Sequence, residues 1–238
     1  MRTVIKTILL LYVIAAVSIA IEAGATPQAP DSSSEAAEGL WAYTGLTPPG
    51  HEEFSLTGMF VFKDGKFIQQ SINDGEPFET QGAMAHAGTY RHGPDGIQMV
   101  AEQTISVAPK DTPPFSERGR TEHQLAVERT GDKMTLTFGS GTVQTFKRLG
   151  AGVGEIHELV GGMLAFVDGR FLLVAARDGG VVTGCGDFER QGESYSLEVL
   201  RWAEAKGSKV SYRRDDTMKA TFDGKRLTLS DGASFQAR

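Results

Sequence analysis

From Glu38 to the C-terminus the chain is a succession of short apolar and polar runs broken by Gly, Asp and Pro, with no long helical periodicity. Ile97, Met99, Ala101, Gln103, Ile105 and Val107 recur at every second position, and so do His123, Leu125 and Val127. A spacing of two places each set on one face of a strand. The pattern predicts strands near Leu40–Thr44, Phe54–Phe62, Lys66–Ile72, Ala83–Arg91, Ile97–Val107, Thr121–Arg129, Lys133–Phe138 and Thr142–Arg148. Beyond the glycine-rich joint Gly150–Gly154 it predicts Ile156–Phe166, Arg170–Arg177, Val181–Glu189, Ser194–Trp202, Lys209–Arg213, Lys219–Phe222, Arg226–Ser230 and Ser234–Ala237. Ala108–Gly119, with Pro109, Pro113 and Pro114, is the place expected for a mouth loop. In the second half Ala203–Ser208 stands in its place, and Trp202–Lys206 is compatible with a helical turn.

One stretch occurs twice. Gly58–Phe67 reads GMFVFKDGKF and Gly162–Phe171 reads GMLAFVDGRF, 104 residues apart. Both carry Asp-Gly between apolar runs, the dipeptide that best tolerates the two positive φ angles of a type I′ hairpin turn. Lys133–Leu136 is echoed by Arg226–Leu229 at an offset of 93, so the second unit is shorter by about a loop. Successive antiparallel strands with short turns close most simply into an up-and-down barrel, which leaves no exposed edge. The expected fold is all-β: two tandem antiparallel up-and-down β-barrels, the first over 38–149 and the second, more divergent, over 150–238.

The N-terminus reads as an address rather than as fold. Arg2 and Lys6 precede the apolar run Thr7–Ile21, and Ala23-Gly24-Ala25 offers a small-residue cleavage site. The run is shorter than the roughly 20 residues a membrane helix needs. Residues 1–25 are therefore expected to be a Sec-type signal peptide and 26–37 a polar tether. The product is expected to be periplasmic or secreted, without stable membrane insertion after cleavage. Without Arg2, Lys6 and Glu22 the chain holds 22 basic against 29 acidic residues. That balance disfavours nucleic acid as a partner. A single cysteine, Cys185, excludes an internal disulfide; with only His157 in the second unit to serve as a base, it is expected to be a buried, inert thiol rather than a nucleophile.

Gly39-Leu40-Trp41, followed in order by Ala87-Gly88-Thr89-Tyr90, the Pro109–Arg120 region, Gly131–Leu136 and Phe146-Lys147-Arg148, resembles the bacterial lipocalin-like domain. The resemblance covers about 38–149 and returns more faintly in the second unit, which has no Gly-x-Trp at the matching place. It implies structural roles for Gly39, Trp41 and Arg148 at the closed base, with the arginine packed on the indole. It also implies a small apolar molecule as the ligand.

The inner face expected from Met84, His86, Tyr90, Met99, Gln103 and His123 mixes apolar bulk with sparse polar groups. That is the make-up of a ligand pocket, and equally of a small barrel filled by its own side chains. No His-x-His or His-x-x-x-His pair occurs, so His86 and His123 suit interior hydrogen bonding better than a metal or haem, and His92, beside the Gly93–Gly96 turn, is expected to be exposed. No cofactor is expected. Glu52-Glu53, Asp187 with Glu189, and Asp215-Asp216 read as solvated, and no Gly-x-Ser-x-Gly elbow or phosphate loop occurs. The expected function is binding or carriage of a small hydrophobic molecule. The alternatives are an isomerase or cyclase using His86, Tyr90 and His123, and a non-catalytic envelope interaction module.

Overall fold

A computed structural model describes residues 36–73, 80–93 and 96–238. The predicted signal peptide, nearly all of the tether and the turn at 94–95 lie outside the described residues. The named elements are all strands: β1 (Gly39–Thr47), β2 (Thr57–Lys63), β3 (Lys66–Asn73), β4 (Gly82–Gly93), β5 (Gly96–Val107), β6 (Phe115–Arg118), β7 (Thr121–Thr130), β8 (Lys133–Phe138) and β9 (Val143–Gly150). The second half continues with β10 (Gly154–Leu159), β11 (Gly162–Val167), β12 (Arg170–Arg177), β13 (Gly180–Gln191), β14 (Ser194–Lys206), β15 (Lys209–Arg213), β16 (Asp216–Phe222), β17 (Arg226–Leu229) and β18 (Ser234–Gln236).

In the first half β1-β2-β3-β4-β5-β7-β8-β9 form an antiparallel ring, closed where β9 pairs with β1. The short β6 lies outside that ring and pairs with the C-terminal half of β5. The second half repeats the plan: β14 holds β16 along its first half and β15 along its second. Its ring is nearly closed, through a bridge between Leu159 and Ala237 flanked by Val160 N donating to Gln236 O and Arg238 N to Glu158 O. The two Asp-Gly turns have the expected backbone, with Asp64 and Asp168 at φ 49° and 47°, and Gly65 and Gly169 at 74° and 75°.

Several expectations are corrected by the register. Ile156–Phe166 is two strands, split at Val160-Gly161, and Trp202–Lys206 continues β14 instead of turning helical. Ala108–Gly119 contains β6, and its prolines line a groove beside Gly207, Ser208 and Tyr212 rather than the mouth of the first barrel. The alternation of β5 reverses midway, because Ala87 pairs with Gln103 whereas Gly88 pairs with Ala101. Glu102 is the extra residue of this bulge, and a one-residue bulge sends every later side chain to the opposite face. Ile97, Met99 and Ala101 thus face the lumen, while Gln103, Ile105 and Val107 face outward. β14 carries the same bulge at Leu200.

Each barrel has its own aromatic-rich interior. A third apolar cluster joins the barrels: Val61, Ile68 and Ile105 on the outer wall of the first pack with Leu172, Val174 and Ala203 on that of the second. This explains why β2, β3, β11 and β12 are buried almost without interruption, since one face looks into a lumen and the other onto the neighbouring barrel. The joint is pinned as well. The Asp168 carboxylate accepts from Gly152 N and Val153 N at 2.6 and 3.1 Å. Lys66 of the first barrel meets Glu158 of the second at 2.9 Å.

Candidate functional site

Neighbouring strands bring single residues into rows across the inner wall. One row of the first barrel runs Phe60, Gln69, His86, Thr104, Arg118 over β2, β3, β4, β5 and β6. It borders a cavity of about 110 Å³. Tyr43 from β1 and Phe138 from β8 face the same space, and Pro48, Phe54 and Leu56 of the β1–β2 connection also line it. Part of the wall therefore comes from a connection for which the sequence gives no signal.

Of the six residues predicted to share a face, Met84, His86, Met99 and His123 line this cavity. Tyr90 also points inward but sits at the closed end, edge-on to Phe62 at 5.1 Å and donating its hydroxyl to Glu38. Gln103 is sent out of the lumen by the bulge and donates to Glu117 Oε1 at 3.1 Å. His92 is exposed at the far end of β4.

The titratable rings around the cavity are held neutral. Burial, with a smaller contribution from His123, pushes the His86 imidazole down to about 3, and burial lowers His123 as well. Both are neutral at neutral pH, with their rings near perpendicular and 6.1 Å apart. Burial also raises the Tyr43 phenol, which donates to Gln144 Oε1 at 3.3 Å. Gln69 is almost fully buried; its Nε2 lies 3.5 Å from Ser71 Oγ, and its Oε1 has no partner among the described residues. Such an orphan costs about 1–3 kcal/mol. Thr104 and Thr121 share a hydrogen bond of 3.2 Å.

At the base, Trp41 is fully buried and donates Nε1–H to Ala37 O at 2.7 Å. Arg148 lies 5.8 Å from its ring centroid, and Arg129, which the sequence reading did not single out, lies 5.3 Å away. In the second barrel the register puts His157 where Trp41 stands, since His157 faces Leu164 as Trp41 faces Phe60. His157 packs edge-on against Phe222 at 4.6 Å. Cys185 is buried between the barrels, and burial pushes its thiol up to about 12.

The corresponding row of the second barrel runs Leu164, Leu173, Gly184, Trp202, Arg213. Trp202 is fully buried, and its ring lies so close over Gly184 that a Cβ there would overlap it. Where the first barrel has His86 and Thr104 beside a space, the second has a glycine covered by an indole, and a space of about 390 Å³ bordered by Val182, Trp202, Leu229 and Phe235 lies beside that indole.

No protein-family profile and no curated protein matches the chain. Among solved structures it is similar to that of an uncharacterized protein from Bacteroides eggerthii, at 14% identity over 48% of this chain and 99% of the other, with a TM-score of 0.29.

Proposed function

We propose that the protein is an exported, lipocalin-like carrier that holds one small, largely apolar molecule in its first barrel, at the row that the second barrel closes with Trp202. The observation that carries this reading is the exchange of Gln69, His86 and Thr104 for Leu173, Gly184 and Trp202 at matched positions of one row. Small barrels either fill with side chains or keep room for one ligand, and this chain has one row of each kind. Apolar walls with a few orienting polar groups are what ligand pockets use. The Gly39-x-Trp41 base with Arg148 over the indole supports the lipocalin-like assignment. The Arg2–Ala25 leader supports export.

Carriage is favoured over turnover. An imidazole held neutral down to about pH 3 is a feeble general base at neutral pH, and Tyr90 lies away from the cavity. The test is native mass spectrometry of residues 26–238 purified from the protein's own host, beside the double variant His86→Gly/Thr104→Trp, which copies the second barrel's plug. The expected result is an extra mass on the native protein, released on denaturation and absent from the plugged variant. A clean unliganded mass from several preparations, with no binding of small apolar probes, would overturn the proposal.

A further inference from the structure

Among the described residues, Arg118 is the only formally charged side chain lining the cavity. β6 pairs it with Thr104, an inward-facing residue, so the guanidinium belongs to the lumen side. It forms no ion pair among the described residues. The other titratable groups of the chamber, Tyr43, His86 and His123, are all neutral at neutral pH. A guanidinium at the edge of an apolar space is a ready partner for a carboxylate, which it can hold through two parallel hydrogen bonds.

The second barrel shows what completes it. Arg213 occupies the place of Arg118, opposite Trp202 as Arg118 is opposite Thr104. Arg213 is neutralised from within the chain, by Asp216 at 3.4 Å and Asp231 at 3.7 Å. Asp216 faces Val199 across β14 and β16, and the residue at that place in the first barrel is Thr121, which faces Ala101. The second barrel thus supplies its own carboxylate, whereas the first presents the mutually hydrogen-bonded hydroxyls of Thr104 and Thr121 and gives the guanidinium no ion-pair partner among the described residues.

We infer that the ligand of the first barrel is a small monocarboxylate with a compact apolar body, its carboxylate placed against Arg118, Thr104 and Thr121 where the second barrel has Asp216. This rests on the carrier reading above and names its ligand class. A cavity of about 110 Å³ suits a body near the size of benzene, which an apolar cavity of about 150 Å³ is known to hold. Tyr43, Phe60 and Phe138 supply aromatic walls for it. Gln69 offers a second hydrogen-bonding point on the same row.

The test is calorimetric titration of residues 26–238 with benzoate and with its neutral isostere benzamide, at low and high salt. The variants are Arg118→Gln, Thr121→Asp and the plugged His86→Gly/Thr104→Trp, each first checked for a native melting transition. Benzoate is expected to bind at least tenfold tighter than benzamide, with a preference that shrinks at high salt. Arg118→Gln and Thr121→Asp, the latter copying the internal ion pair of the second barrel, should each bring benzoate down to the level that benzamide shows in the same variant. Equal affinities in the native protein, or a benzoate preference that survives Arg118→Gln, would overturn the carboxylate assignment while benzamide binding upheld the carrier reading. Failure of both probes to bind the native protein any better than the plugged variant would overturn both.

Discussion

The two barrels share strand order, bulge and turn, yet they resolve the same interior differently. Along the matched row the first barrel has Gln69, His86 and Thr104, and the second has Leu173, Gly184 and Trp202. Packing in the second is closed by one large side chain resting on a residue with no Cβ. In the first, His86 and Thr104 border a cavity at this row, and polar groups that gain little from burial surround it. A packed row and a polar one are thus divided between two copies of one plan.

The comparison can be broken most forcefully at Trp202. Trp202→Ala should destabilise the protein by about 3–5 kcal/mol, read as a lower denaturant midpoint with an unchanged slope, because it opens a large void in a tight core. Gly184→Ala attacks the same contact from the other side and should cost about 1–3 kcal/mol by overpacking. Matched changes in the first barrel, Thr104→Ala and His86→Ala, should cost clearly less, since they enlarge a space that already exists. Equal costs in both barrels would refute the division.

Acid sharpens the contrast. The folded pKa of His86 lies well below the usual histidine value, so the unfolded chain binds the extra proton first. Stability should be fully present above about pH 6.5 and fall as pH drops toward about 3, by at most about 1.4 kcal/mol per pH unit for each proton involved. His123, also lowered, adds to the same slope. Thermal melts from pH 7 to 4 should show the decline, and His86→Gln should remove most of it. The smallest effect is expected from Gln69→Leu, which copies Leu173 and removes an unpartnered buried oxygen. It should raise stability by about 1 kcal/mol, and no gain would mean that Gln69 is satisfied by an interior water.

Much of this plan is legible in the chain. The paired Asp-Gly stretches announce the duplication and its hairpins, and period two along β7 and the first half of β5 announces the lumen. His86, Met84, Met99 and His123 are found together because they lie where simple alternation holds. Gln103 is misplaced because a bulge is a local backbone event: Glu102 looks like any exposed strand residue until its partner strand is in register. Arg118 is missed because its role depends on facing Thr104 across a short strand inside a proline-rich segment. The interface between the barrels had a signal that alternation alone does not read. The runs of β2, β3, β11 and β12 are apolar at odd and even positions alike, and Ala83, Ala85, Ala87, Ala203 and Ala205 give a close-fitting outer wall.

That outer wall also decides how the chain can be divided. β9 ends at Gly150 and β10 begins at Gly154, so the covalent link between the halves is a few residues long. Cutting such a link ordinarily frees two independent modules. Here β3, β4 and β5 carry the chamber on one face and the other barrel on the reverse, so a lone N-terminal fragment would meet solvent with a sheet of valine, isoleucine and alanine. The two pieces are better regarded as halves of a split protein. Expressed separately they should recover a working chamber only by reassociating, which makes the joint a natural site for fragment complementation.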